Sequence, residues 1–481
     1  MTSAVLADLV GGAFRPAAGG ATVASVNPSD ESDIVAMVPE GSAASARAAA
    51  DAAAEALGGW RSLTGPARAE HLYNWAEVIR QRADELARAM TREVGKPIAE
   101  SRGEVARAVV ILRYYAGEAV RAVGEVIPSQ APGALQFTLQ EPLGVVALVT
   151  PWNFPLAIPL WKAAPALAFG NTVVLKPSEM SAQVASLLAE TAVAAKLPPG
   201  VFNVVHGIGP NVGTPLLEHS AVRGISFTGS SAVGAQVAAL AARRNVRFQT
   251  EMGGKNVLIV AQDADLDAAA SLAASGAMRY AGQKCTATSR VVVVRDVAAD
   301  FLARLRAQIE RLPLGPVDDP AAAVGPVISA RSRASIATAL RDARPERLFG
   351  GELPNDARFA RGYFVAPLVI RLADPDAPLA QRELFGPVLG VFEAEDLDHA
   401  IHLANRTPFG LSASLFTRDI RSALKYVRRI EVGLVRVNGD TTGVDPHAPF
   451  GGMKGSSSGS REQGPAAREF YTETKTVQIN P

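Results

Sequence analysis

The 481-residue chain has a single cysteine, Cys285, so no disulfide can form within it. That fits a reducing compartment and excludes a disulfide-framed scaffold. Excess charge of either sign is also missing: 48 Lys and Arg face 47 Asp and Glu, a formal net charge of +1. With no block of like charges, the chain lacks the basic field that nucleic acid or an anionic membrane demands. The start, Met1 to Asp8, has neither a basic region nor an apolar core and does not read as a signal peptide. Between Glu141 and Lys162 no residue is charged, a length approaching a membrane span. Pro142, Pro151, Pro155 and Pro159 interrupt that stretch and remove helix donors, so it reads as a buried strand, a loop and a helix. No internal repeat or low-complexity segment stands out. These exclusions leave a cytoplasmic, globular protein of two to four domains.

The pattern along the chain changes near Leu143. Up to about Val120 it is helix-rich, with helical spacing over Ala43–Leu57, Ala69–Met90 and Glu104–Glu118. In the last of these, Val105, Val109, Leu112 and Ala116 form a core stripe. A turn at Pro128–Gly133 precedes Ala134–Gln140. Beyond Leu143, short β-branched runs alternate with helices: strands at Val145–Val149, Thr172–Leu175, Val201–Val205, Val222–Phe227 and Val246–Thr250. This alternation predicts a parallel, doubly wound sheet, whose ligands sit outside the carboxyl ends of the strands. A second α/β stretch follows, with strands at Val257–Val260, Arg290–Val294, Val365–Val369 and Leu434–Val437. The alternating tail after Phe470 predicts a terminal strand, for which another subunit is the expected pairing partner.

Several positions carry chemistry. A lone cysteine is most often a small buried hydrophobe. Asn153 stands in apolar company in Thr150-Pro151-Trp152-Asn153-Phe154-Pro155, either stabilising a turn or donating to an oxyanion. Glu251 ends a strand before two glycines, as a cap or as a general base. Lys176-Pro177-Ser178-Glu179 ends another strand, where a lysine and a carboxylate suit ribose hydroxyls or a solvated turn. Phe227-Thr228-Gly229-Ser230 opens a helix whose free N–H groups would face an anion. Gly207–Gly213 is one residue too long for the dinucleotide fingerprint and reads as an ordinary turn.

Taken in order, Pro151–Pro155, Lys176–Glu179, Phe227–Ser230, Glu251–Lys255, Gly282–Cys285, Glu383–Val388 and Pro449–Gly452 resemble the aldehyde dehydrogenase superfamily over nearly the whole chain. The resemblance implies an α/β fold with three parts. A Rossmann-type parallel-sheet cofactor domain takes residues 1–122 and 143–252, and an α/β catalytic domain takes 253–454. A small antiparallel β oligomerisation element with the C-terminal tail takes 123–142 and 455–481.

It also implies oxidation of an aldehyde to a carboxylate. Cys285 would attack as thiolate, Asn153 and the Cys285 backbone N–H would hold the oxyanion, and Glu251 would activate water. NAD, with NADP possible, would be held by Thr150, Trp152, Lys176, Ser178, Glu179, Gly229, Ser230, Gly253, Glu383 and Phe385. A carboxylate at Glu179 suits a free 2′-hydroxyl and favours NAD. Glu462 matches a family carboxylate assigned to proton relay. Ile158, Trp161, Lys284, Thr286 and the loop from Asp440 to His447 would line the aldehyde channel. No metal is expected, and a homodimer or homotetramer is.

The segments Ile111–Glu118, Gly282–Arg290 and Ser456–Gly464 look like those of 2-oxoglutarate semialdehyde (2,5-dioxovalerate) dehydrogenases. Succinate semialdehyde dehydrogenases usually carry an arginine where this chain has Trp161. An aromatic or long aliphatic aldehyde, a broad specificity, and a catalytically silent structural role are the alternatives.

Overall fold

The computed structural model describes residues 5–17, 20–121 and 123–481. Strand–helix alternation after Leu143 builds the first sheet. Its strand order is Ala13–Pro16, Ala7–Val10, Phe202–Val204, Thr172–Lys176, Val145–Val149, Val222–Thr228, Arg247–Glu251 and Ser457–Gly459. The five strands from Phe202–Val204 to Arg247–Glu251 are parallel, their immediate neighbours Ala7–Val10 and Ser457–Gly459 run antiparallel to them, and Ala13–Pro16 is antiparallel to Ala7–Val10. The chain steps outward from Val145–Val149 to Phe202–Val204, then returns to lay Val222–Thr228 on the other side. The switch point therefore falls between Val145–Val149 and Val222–Thr228. At such a point successive connections leave on opposite faces and open a crevice at the carboxyl ends.

A second sheet orders Arg347–Gly350, Leu368–Arg371, Val388–Ala394, Arg290–Val294, Val257–Val260, Ser412–Phe416 and Leu434–Val437. Only Arg347–Gly350 runs antiparallel to its neighbour. Each sheet has its own core. The first is continuous through Trp60, Trp75, Leu112 and Leu160, the second through Val292, Phe301, Phe392 and Leu415. Burial on both faces explains the uninterrupted Val/Ile/Leu runs of the central strands.

Four segments differ from the sequence expectation. Ala69–Met90 is not one helix: Gly65–Gln81 ends at Arg82 (φ −96°, ψ 19°), and Ala83–Val94 follows. The strand expected at Val365–Val369 spans Leu368–Arg371, beginning after Pro367, which has no N–H for the ladder. The terminal strand Thr472–Ile479 needs no second subunit for a partner. It pairs antiparallel with Leu135–Pro142 of its own chain over eight residue pairs, and Leu135–Pro142 also pairs Val126–Ile127. Strands Thr22–Asn27 and Asp30–Pro39 form a hairpin in a segment read as helix-rich.

The uncharged stretch after Glu141 is strand Val145–Val149, a loop, and helix Ala157–Ala168, all twelve of whose residues are buried. No helix among the described residues is long and apolar enough to cross a membrane.

Candidate active site

The thiol is placed by an unusual backbone. Helix Leu266–Met278 ends, and then Tyr280 (φ 54°), Ala281 (φ 52°) and Gly282 (φ 67°) are consecutively left-handed. Non-glycine residues pay about 1–3 kcal/mol for such a conformation, so the surroundings must enforce it. The buried Gln283 side chain does much of this. Its Nε2 donates to Tyr280 O (3.3 Å) and Pro326 O (3.2 Å), and its Oε1 accepts from Ile328 N (2.8 Å). At Gly282 an added Cβ would lie 2.6 Å from Gly386 O. Cys285 emerges half-buried, its carbonyl accepting from Asn256 Nδ2 at 2.8 Å.

Asn153 is brought onto this segment. Its Nδ2 donates to Gln283 O at 3.1 Å, while its buried Oδ1 has no partner. Glu251, 2% exposed, ends strand Arg247–Glu251. Its Oε2 accepts from Ser457 Oγ at 2.6 Å, and its Oε1 has no partner. Burial, then Glu462, push the Glu251 carboxyl well above the usual range, against Ser457, Lys162 and Arg461. Burial, then Glu383 and Glu251, push the Cys285 thiol up to about 12. The unliganded thiol is therefore neutral at physiological pH.

Glu462 lies at the centre of a buried cluster. It accepts from Lys162 Nζ, Trp161 Nε1 (2.9 Å), Ser226 Oγ (3.1 Å) and Gln249 Nε2 (3.3 Å).

A cavity of about 380 Å³ has Cys285 on its wall. Trp161, Lys284 and Thr286 line it, and Thr442, Gly443 and Val444 come from the loop between Asp440 and His447. Ile158 does not: it is 1% exposed within the first core, and Phe154 takes the corresponding place on the wall.

Sequence reasoning missed a charged face. Glu100, Gly103, Glu104 and Arg107 reach the cavity from helix Ile98–Glu118, joined by Arg279. Their spacing of three and four residues was the available signal. Lys284 pairs with Glu100 at 2.8 Å. Glu104 pairs with Lys96 and accepts the Leu156 and Ala157 N–H groups (3.0 and 2.9 Å), capping helix Ala157–Ala168. Among the described residues, neither Arg107 nor Arg279 is ion-paired to a carboxylate.

The crevice at the switch point gathers the residues expected for a nucleotide. Lys176, 4% exposed, has Glu179 as its counter-charge at 3.6 Å, and burial lowers its pKa. Ser178 caps the turn that follows, accepting from Met180 N at 3.2 Å. Ser230 is the N-cap residue of helix Ser231–Arg244, and the Gly229 N–H donates to Glu251 O at 3.0 Å.

From the second sheet's side, Glu383 accepts from Gly254 N at 3.1 Å, with Gly253 against its other oxygen. Burial raises its pKa to about 7. Phe385 meets the Trp152 ring edge-on at 5.6 Å. Thr150 Oγ1 and Thr228 Oγ1, at the ends of adjacent strands, are buried without partners. Unsatisfied hydroxyls and a buried lysine at a strand end suit a polar, anionic ligand such as a dinucleotide. The described residues hold no group of three or more His, Cys, Asp or Glu placed for a metal ion.

Thiol, carboxamide and carboxylate meeting beside a switch-point crevice define a class, and sequence comparison agrees. Residues 14–477 match the aldehyde dehydrogenase family, and the chain belongs to it. It is an NAD(P)-dependent oxidoreductase that converts an aldehyde to a carboxylate.

Among its relatives, an alpha-ketoglutaric semialdehyde dehydrogenase of Bacillus subtilis is 43% identical, over 98% of both chains. An alpha-ketoglutarate semialdehyde dehydrogenase of Haloferax volcanii is 42% identical, also over 98% of both. The crystal structure of an NAD-dependent aldehyde dehydrogenase from Sinorhizobium meliloti superposes with a TM-score of 0.95 at 36% identity. That match covers 99% of this chain and 95% of the other.

Proposed function

We propose that the enzyme oxidises 2-oxoglutarate semialdehyde, or a closely related short semialdehyde bearing a carboxylate, with NAD. The cavity carries this reading. Its aromatic walls, Phe154, Trp161 and Phe450, suit a short carbon chain, while Arg107 and Arg279 offer guanidinium groups with no carboxylate of their own. A guanidinium is the preferred partner of a carboxylate because its fork matches both oxygens. A substrate with an aldehyde at one end and a 2-oxo acid at the other meets both needs: thiol for the first, cations for the second. The names of the two semialdehyde dehydrogenases support the same choice.

Cys285 acts as nucleophile once ionised. The Asn153 carboxamide and the Cys285 N–H stabilise the oxyanion, a contribution of about 2.7–4 kcal/mol for one such donor. Bound NAD supplies the hydride acceptor. Glu251 then takes a proton from the water that hydrolyses the thioester. Lys176 and Glu179 hold the adenine-side ribose, Ser230 faces the pyrophosphate, and Glu383 holds the second ribose. The Glu179 carboxylate repels a 2′-phosphate and favours NAD over NADP. We also assign a homo-oligomer, joined through the uncovered edge of strand Thr472–Ile479, which sedimentation would test.

The deciding experiment is kcat/KM for 2-oxoglutarate semialdehyde, succinate semialdehyde, benzaldehyde and hexanal, on the native enzyme and on Arg107→Met and Arg279→Met. A hydrogen bond to a charged group is worth about 1.5–3 kcal/mol, so each substitution should lower the value for the 2-oxo acid about 10- to 100-fold. Values for the uncharged aldehydes should stay within about threefold. Preference of the native enzyme for benzaldehyde or hexanal would replace this reading with an aromatic or aliphatic specificity. Cys285→Ala should form no NADH with any aldehyde while still binding NAD.

A further inference from the structure

Ser457 belongs to a strand at the edge of the first sheet. Strand Ser457–Gly459 runs antiparallel to Arg247–Glu251, with Ser457 opposite Glu251, Ser458 opposite Thr250 and Gly459 opposite Gln249. The register is locked on both sides. Thr250 Oγ1 and Ser458 Oγ share a hydrogen bond of 2.6 Å, Met252 N donates to Ser456 O at 2.8 Å, and Gly410 N donates to Ser456 Oγ at 3.0 Å. The Ser457 hydroxyl accepts from Gly452 N at 2.6 Å and donates to Glu251 Oε2 at 2.6 Å. Because the Gly452 N–H occupies one side of the oxygen, the hydroxyl proton is directed at the carboxylate. Glu251 Oε1 packs against Gly451 and has no partner. The expected base is thus tethered by a single side-chain hydrogen bond.

We propose that Ser457 is a positioning residue for Glu251: its hydroxyl, oriented by the Gly452 N–H, favours the charged, proton-accepting form of the buried carboxylate. The inference rests on the reading of Glu251 as the base. Glu251 is not a wall of the cavity that Cys285 lines, so the tether holds it beside the thiol site and outside the substrate's path.

The charged groups facing Glu251 come from two elements: Lys162 from helix Ala157–Ala168, and Glu462 and Arg461 from the segment after Gly459. Glu462 and burial oppose ionisation. Among the influences that favour it, the Ser457 hydrogen bond ranks ahead of Lys162 and Arg461. Cys285, neutral near pH 7, adds no charge there.

In the step concerned, a water oxygen bonds to the thioester carbon and one water proton passes to Glu251. The C–S bond then breaks and the sulfur takes up a proton. Water plus thioester thus becomes acid plus thiol.

The experiment separates acylation from deacylation in the full-length enzyme with NAD. Stopped-flow NADH formation reads acylation. Decay of the acyl-enzyme across pH 5 to 9, with the steady-state p-nitrophenol rate that follows its burst from p-nitrophenyl acetate as a second probe, reads deacylation. Ser457→Ala should keep the NADH burst within about twofold. It should also move the acid limb of deacylation up by about one to two pH units, the effect of losing one hydrogen bond to a charged group. Ser457→Thr should restore the native limb, and Ser457→Cys, a weaker donor, should move it in the same direction as Ala. An unmoved limb in both Ala and Cys variants, or burst and decay slowed alike, would overturn the inference. Glu251→Gln serves as the control. If that variant deacylates at the native rate, the base assignment falls and takes the inference with it. If it stalls as acyl-enzyme while Ser457→Ala keeps the native limb, only the role of Ser457 falls.

Discussion

Lys162 and Glu462 form an ion pair with side chains 0% and 2% exposed, 300 residues apart in sequence. Replacing Lys162 by Met removes the one cation among the described residues in contact with Glu462 and leaves three neutral donors: the Trp161 indole, the Ser226 hydroxyl and the Gln249 amide. A buried charge stripped of its counter-charge typically costs 3–5 kcal/mol, roughly twice the loss of an ordinary hydrogen bond to a charged group. Lys162→Met should therefore destabilise the fold by about 3–5 kcal/mol, read as the shift of the urea unfolding midpoint at fixed protein concentration. The double variant Lys162→Met/Glu462→Gln removes the uncompensated charge as well. The amide retains acceptor and donor capacity for Ser226 and Gln249, so the double variant should recover about half the loss. A Lys162→Met protein within about 1 kcal/mol of native stability would refute this account. So would a double variant no better than the sum of its singles, because then the two groups are not coupled.

Other outcomes follow from the same coordinates. Gly282→Ala places a Cβ 2.6 Å from Gly386 O on a left-handed backbone, so the thiol should shift and kcat fall about 100-fold with NAD affinity kept. His206 has its pKa lowered from 6.5 to about 4 by burial, then by Lys176. A depressed folded-state pKa means this contribution to stability is present above about 6.5 and is lost as pH falls toward 4. His206→Gln should flatten acid destabilisation across that window in urea titrations. Glu179→Gln should raise kcat/KM with NADP about tenfold relative to NAD, and an unchanged ratio would place 2′-phosphate discrimination elsewhere.

Much of the fold was legible because local chemistry dictates it. The run Val145–Val149, buried from both faces, can only be an interior strand, and its limits match the structure. Pro159 could not stop helix Ala157–Ala168 from forming, because proline is tolerated in a first turn, where N–H groups have no helical partner, and Pro155 lies before the helix. The hairpin from Thr22 to Pro39 was not legible. Its two strands have mixed exposure and no clean alternation, so pairing with each other, rather than local preference, makes them strands.

At the site, Cys285, Asn153, Glu251 and Glu383 stood out as motif residues. Ser457 did not, because a hydroxyl in a Gly/Ser-rich loop carries no signal until register sets it opposite Glu251. Arg107 and Arg279 were equally silent. A surface arginine and a cavity arginine look alike until the carboxylates around them are seen to be taken by Lys96 and Lys284.

The chain by itself determined which groups are available: one thiol, a strand-ending carboxylate, a carboxamide between prolines, and β-branched runs that force a parallel sheet. Tertiary structure alone decided which of them meet and in what charge state. Contacts between residues more than a hundred positions apart, such as Asn153 with Gln283, depend on how two separately cored sheets pack. The ionisation of a buried group depends on every neighbour that packing brings within a few ångströms.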